Sequence, residues 1–180
     1  FQVQVSNVSG ATVADGSEPC VTLVIAAHRE AEIIEAKVAN ARALDWPADR
    51  LEVIVACDGS PDDTPARARA AGADVVLELP WGGKVRAQDA AVERAGGELL
   101  AFSDANALWE TGALRALAGA FADARVGYAC GQVRFLNDGG TNQEGLYWRY
   151  EMAIRARESQ LQSVTAGNGA DAIGAAELTV

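Results

Sequence analysis

Residues 21–27, VTLVIAA, set the strongest limit on what this chain can fold into. The run is apolar and β-branched, without the apolar–polar alternation of a strand that faces water on one side. A strand of this kind is covered on both faces, as in a parallel sheet held between helical layers. LEVIVAC at 51–57 obeys the same rule, and ADVVLEL at 73–79 and the run 98–103, which leads into Asp104, read as further strands. Helical patterns separate them. Ile34, Val38 and Ala41 predict a helix over 30–44. The alanine-rich 64–72 and the segment 84–95 predict two more, and Leu114, Leu117 and Phe121 mark a fourth. VGYACGQVRFL at 126–136 reads as another strand, and Tyr147, Tyr150, Ile154 and Leu161 share a helical face over 144–161. Strands alternating with helices predict an α/β fold, a mainly parallel sheet flanked by helices.

Ligands bind such sheets outside the carboxyl ends of the strands. Four polar clusters stand there in this sequence: AHRE with His28 and Glu30, CDGS with Asp58, GGK with Lys84, and SDAN with Asp104 and Asn106. Each alone has a structural explanation. Glu30 suits a helix start, DGSPDDT suits a turn and cap, and Asp or Asn commonly ends a strand. Together on one rim they predict a site. A carboxylate and an amide at one strand tip are oxygen ligands of the kind a hard divalent cation takes.

Several other functions are excluded. GGK is no phosphate-binding P-loop, because Glu78 and Val85 stand where that motif needs Gly and Ser or Thr. No glycine follows the first strand, so a dinucleotide fingerprint is absent. The formal net charge of −10 argues against a nucleic-acid partner. Cys20, Cys57 and Cys130 are odd in number and lack CxxC spacing, which predicts no disulfide framework or zinc site and a reducing, cytoplasmic setting. No apolar run approaches the roughly 20 residues that span a bilayer. Residues 1–19 lack the pattern of a signal peptide and read as a leader or linker before a domain over 20–180.

The run from VTLVIAAHRE to CDGSPDDT, then GGKVRAQDAA, then GELLAFSDAN, resembles the family 2 glycosyltransferases over roughly residues 20–175. The resemblance implies the GT-A, Rossmann-like fold of nucleotide-diphospho-sugar transferases. It implies a nucleotide-sugar site formed by Ala26, His28, Glu30, Asp58, Lys84 and Asp104. Asp58 would accept from the uracil ring N–H, His28 would offer an aromatic face, and Lys84 would lie near the diphosphate. Asp104 and Asn106 match the family's D-x-D motif and would hold Mg or Mn. The implied reaction is inverting transfer from a UDP-sugar to a hydroxyl of a glycan, polysaccharide or lipid acceptor.

The sequence departs from the family at named places. Of the motif P-x-Y-N-E only Glu30 is retained, Cys57 replaces a frequent Asp or Ser, and Asp89 stands for a usual Asn. Ala172, Ala175 and Ala176 occupy positions of a Tyr and a basic pair on the acceptor side. The family's general base, in an E-D motif, has no convincing match before Val180. The catalytic base is therefore expected beyond Val180, in a domain truncated at its C-terminal end. The segment at 144–161 resembles one in members that often carry membrane helices, so contact with the cytoplasmic face of a membrane would come through segments absent from this chain. Two other readings stay open. One is a non-catalytic module that binds nucleotide-sugar or a partner. The other is a sugar-phosphate nucleotidyltransferase, which needs a Gly-rich loop after the first strand.

Overall fold

In a computed structural model of the chain, residues 3–5, 18–131, 133–135 and 171–175 are described. In chain order the strands are β1 (Val3–Val5), β2 (Val21–Ala27), β3 (Leu51–Asp58), β4 (Val75–Leu79), β5 (Leu99–Asp104), β6 (Tyr128–Cys130), β7 (Val133–Phe135) and β8 (Asp171–Ala175). The helices are α1 (Ile34–Arg42), α2 (Thr64–Ala70), α3 (Lys84–Val92) and α4 (Ala113–Gly119). The main sheet has the order β4-β3-β2-β5-β8-β6. Its first four strands are parallel, with Ala26 of β2 opposite both Ala56 of β3 and Asp104 of β5. Strand β8 is antiparallel to both β5 and β6.

The runs that form β2, β3 and β5 become central strands because both faces are covered, while β4 takes the edge of the sheet. Val21, Leu23, Ile25 and Ala27 point to one side, where they pack with Ile34, Val38 and Ala41 of α1 and with Leu114 and Leu117 of α4. Val24, with Ile54 and Ala56 of β3, points to the other side, against Ala87 and Ala91 of α3. Burying an aliphatic side chain of this size contributes about 1.5–3 kcal/mol. From β2 the chain passes through α1 to β3 on one side, whereas β5 flanks β2 on the other. The sheet order therefore reverses at β2, and the crevice above β2 and β5 is where such sheets bind ligands.

Two expectations are corrected. The strand expected over 126–136 is two short strands: β6 joins the main sheet, and β7 pairs antiparallel with β1 in a two-stranded sheet. The local apolar pattern does not specify which partner takes each half. The helix expected over 30–44 begins at Ile34, because backbone groups before it are engaged by side chains of another loop. Strand β8, rich in Ala and Gly, has weak strand propensity and is formed by its pairing between β5 and β6. Val3–Val5, within the stretch read as a leader, forms a strand. The helix expected over 144–161, with Tyr147, Trp148 and Tyr150, lies outside the described residues.

Candidate nucleotide-sugar site

The carboxyl ends of β2, β3 and β5 and the start of α3 enclose a cleft of about 330 Å³. Ala26, His28, Glu30, Asp58, Lys84, Asp104 and Asn106 all line it, so every residue singled out from the sequence as a ligand contact reaches one place. Asp89 does not; it is exposed on α3.

The loop after β2 is fastened to the loop after β3. The backbone N–H groups of Arg29, Glu30 and Ala31 donate to Ser60 Oγ (3.1 Å), Thr64 Oγ1 (2.9 Å) and Asp62 Oδ2 (3.4 Å). Thr64 Oγ1 in turn donates to Asp62 Oδ1 at 2.6 Å. DGSPDDT therefore caps its neighbour loop, while within its own segment Thr64 N–H donates to Asp62 Oδ1 at 3.3 Å. Arg29 adopts φ 56°, a left-handed conformation uncommon for a residue with a side chain and found where a site demands it. The imidazole of His28 donates from Nδ1 to the Asp58 carbonyl at 2.6 Å. A carbonyl only accepts, which fixes the proton on Nδ1.

Asp58 is buried and organises the PWGGK turn. Gly82 N–H donates to its Oδ1 at 2.7 Å and Gly83 N–H to its Oδ2 at 2.9 Å. The turn also passes very close to Gly59. A Cβ there would stand 2.8 Å from the Trp81 nitrogen, and Gly59 has φ 58°, so glycine is required twice over. Trp81 was not among the residues expected from sequence. It is 68% exposed, and its ring meets the His28 ring edge-on with centroids 4.5 Å apart. A Trp directly before the Gly-Gly turn of a rim cluster was the sequence signal for it.

Strand β5 ends in a turn in which Ala107 N–H donates to the Asp104 carbonyl at 3.1 Å. Ala105 and Ala107 are buried, while Asp104 and Asn106 face the cleft. The D-A-N-A alternation is thus a turn with its two oxygen-bearing side chains outward. Asp104 forms an ion pair with Lys84, the first residue of α3. Among the described residues there is no group of three or more His, Cys, Asp or Glu arranged to hold a metal. Cys57 lies beneath the rim with its thiol pushed up to about 11, by burial first and then by the charge of Glu78, so it is a poor nucleophile.

Glu30 is held above its ordinary carboxyl value of 4.5, by burial first, then by the charges of Asp104 and Asp62, with His28 opposing. The folded state therefore binds this proton more tightly than the unfolded state. Its contribution to stability falls as pH rises from the ordinary value through the raised one, and stays low above it. Glu30→Gln is expected to melt at a higher temperature than wild type at neutral pH, with the advantage vanishing below the ordinary value. Thermal melts from about pH 4 to 8 check this. A lower melting temperature at neutral pH would mean that a partner stabilises the charged form.

The sequence model of "Glycosyl transferase family 2" matches residues 22–175. No curated protein sequence matches the chain. Among solved structures, it is similar to the mannosyltransferase PcManGT from Pyrobaculum calidifontis in complex with GDP-Man and Mn2+, at 27% identity and a TM-score of 0.75. That match covers 94% of this chain and 48% of the other, so the chain spans about half the length of that structure. It is also similar to glucosyl-3-phosphoglycerate synthase from Mycobacterium tuberculosis in complex with Mn2+, UDP and glucosyl-3-phosphoglycerate. There the identity is 22% and the TM-score 0.61, covering 96% of this chain and 63% of the other. Mannosyl-3-phosphoglycerate synthase from Rubrobacter xylanophilus matches at 18% identity and a TM-score of 0.58, covering 87% and 54%. At these lower identities the likeness concerns the fold alone.

Proposed function

The chain belongs to glycosyl transferase family 2, and from that premise we propose that it forms the donor side of a metal-dependent sugar transfer from a UDP-sugar to an acceptor hydroxyl. The observation that carries the reading is the single cleft above β2, β3 and β5, which gathers His28, Glu30, Asp58, Lys84, Asp104 and Asn106. His28 and Trp81 offer aromatic faces to a nucleobase. The Asp58 carboxylate, engaged by two N–H groups, retains lone pairs for a base N–H.

Asp104 and Asn106 suit a hard cation that brings other oxygens with it. One carboxylate and one amide are too few for a closed protein cage, but Mg2+ is usually held by one or two carboxylates together with substrate phosphates. When bound, such an ion supplies neutralisation of charge on the leaving diphosphate. Lys84, paired with Asp104, is placed to turn its ammonium to a phosphate oxygen. The acceptor oxygen then attacks the anomeric carbon, the bond from that carbon to the phosphate oxygen breaks, and the sugar inverts. The acceptor proton goes to a carboxylate base that is not among these residues.

The GDP-Man complex of PcManGT favours a second reading in which the base is guanine. Calorimetric titration of UDP and of GDP, with Mn2+ and then with a chelator, tests both. UDP is expected to bind in a metal-dependent way. Preference for GDP would change the nucleotide and keep the site; no binding of either would remove the donor-site reading. Sugar transfer to an acceptor separates an enzyme from a binding module.

A further inference from the structure

We infer that Lys37 and Asn40 of α1 are positioning residues that hold the turn bearing Asp104 and Asn106 in a shape ready for a metal; the inference rests on the donor-site reading above. The buried face of α1 consists of Ile34, Lys37, Val38 and Ala41. A lysine in the middle of that apolar stripe is anomalous, since lysine is almost never fully buried unless partnered. Lys37 has 0% exposure.

Its contacts explain its presence. Nζ donates to Ser103 Oγ at 2.7 Å and to the Ala107 carbonyl. These two acceptors bracket Asp104, Ala105 and Asn106. The same Nζ lies 5.7 Å from the centre of the Trp109 ring. One turn further along α1, Asn40 Nδ2 donates to the Trp109 carbonyl at 2.8 Å, and Trp109 N–H donates back to Asn40 Oδ1 at 2.8 Å. The end of β5 and the segment after it are thereby fastened to α1 at Ser103, Ala107 and Trp109.

Packing alone does not require this arrangement. A methionine at position 37 would fill the stripe without burying a polar head, which is costly unless hydrogen-bonded. What the ammonium adds is a fixed path for the backbone between Ser103 and Ala107. Ala105 and Ala107 on that path are buried, and Asp104 and Asn106, whose side chains line the cleft, are the candidate ligands. A turn already held in one shape loses less conformational freedom when it binds, so the two oxygens meet the cation at lower cost. Neither Lys37 nor Asn40 lines the cleft, so both act through the turn.

The test is the affinity of the chain for Mn2+ in the presence of UDP, read from the paramagnetic resonance of free Mn2+, for wild type, Lys37→Met and Asn40→Ala. Lys37→Met is expected to weaken Mn2+ binding by about 10-fold or more, the scale found when groups supporting metal ligands are removed. Asn40→Ala is expected to weaken it less. UDP binding measured with chelator is expected to stay unchanged in both. Folded variants with wild-type Mn2+ affinity would overturn the inference, whatever their melting temperatures. Should Lys37→Met fail to fold, Asn40→Ala, at a half-buried position, decides alone. A wild-type chain that binds no Mn2+ with UDP would overturn the donor-site reading and this inference with it, whereas normal wild-type binding with unaffected variants would overturn the inference alone.

Discussion

Asp104→Ala is expected to abolish metal-dependent binding of a nucleoside diphosphate while leaving the fold in place. Asn106 is neutral, so Asp104 supplies all the formal charge of the candidate ligand pair. Its removal leaves one amide oxygen on the turn, and Mn2+-dependent affinity is expected to fall about 100-fold or more, equivalent to about 2.8 kcal/mol. The cost in stability is much smaller. The lost ion pair with Lys84 sits at the mouth of the cleft, with side chains 33% and 43% exposed. Pairs so placed contribute at most about 1 kcal/mol, which in a chain of this length moves the melting temperature by roughly 2–4 °C. Calorimetry with and without Mn2+, alongside thermal melts, separates the two effects. Unchanged Mn2+-dependent binding in a folded Asp104→Ala variant would mean that the metal is held elsewhere.

The legible parts of this molecule are those whose environment is uniform. Strands covered on both faces must be apolar along their whole length, so VTLVIAA announces itself, and β3, β4 and β5 fall within two residues of the ranges predicted for them. The rim residues were legible because the fold places the carboxyl ends of adjacent parallel strands together, so order along the chain becomes proximity in space. The less legible features depend on partners distant in sequence. Strand β8 is specified by β5 and β6, not by DAIGA. The start of α1 is delayed by Ser60 and Thr64, some thirty residues away. Lys37 was legible in principle, as a charged residue at a buried helical position, but the spacing Ile34, Val38, Ala41 describes the helix equally well without it. Asp58 was legible as part of a polar cluster at a strand end, and the resemblance assigned it to the ligand, whereas its carboxylate is committed to the PWGGK turn.

That commitment gives the other large expected effect. Asp58 joins three of the four polar clusters: its carboxylate accepts from Gly82 and Gly83, and its carbonyl accepts from His28. Asp58→Ala keeps the carbonyl and removes the carboxylate, leaving two backbone N–H groups without their acceptor. Hydrogen bonds to a charged group contribute about 1.5–3 kcal/mol each, so losing two is expected to cost at least about 3 kcal/mol. That corresponds to a fall in melting temperature of roughly 6–12 °C at this chain length. Asp58→Asn keeps one acceptor oxygen but turns an NH2 group toward the second N–H, and is expected to lose about half as much. Binding should divide differently from Asp104→Ala. Because Asp58 fixes the turn that carries Trp81 and Lys84, its loss is expected to weaken nucleotide binding with chelator as well as with Mn2+. Amide exchange reports the cause directly: protection at Gly82 and Gly83 should disappear in Asp58→Ala and persist in Asp104→Ala. Retained protection and an unchanged melting temperature in Asp58→Ala would show that this carboxylate does not hold the turn, and would return it to the role of ligand contact alone.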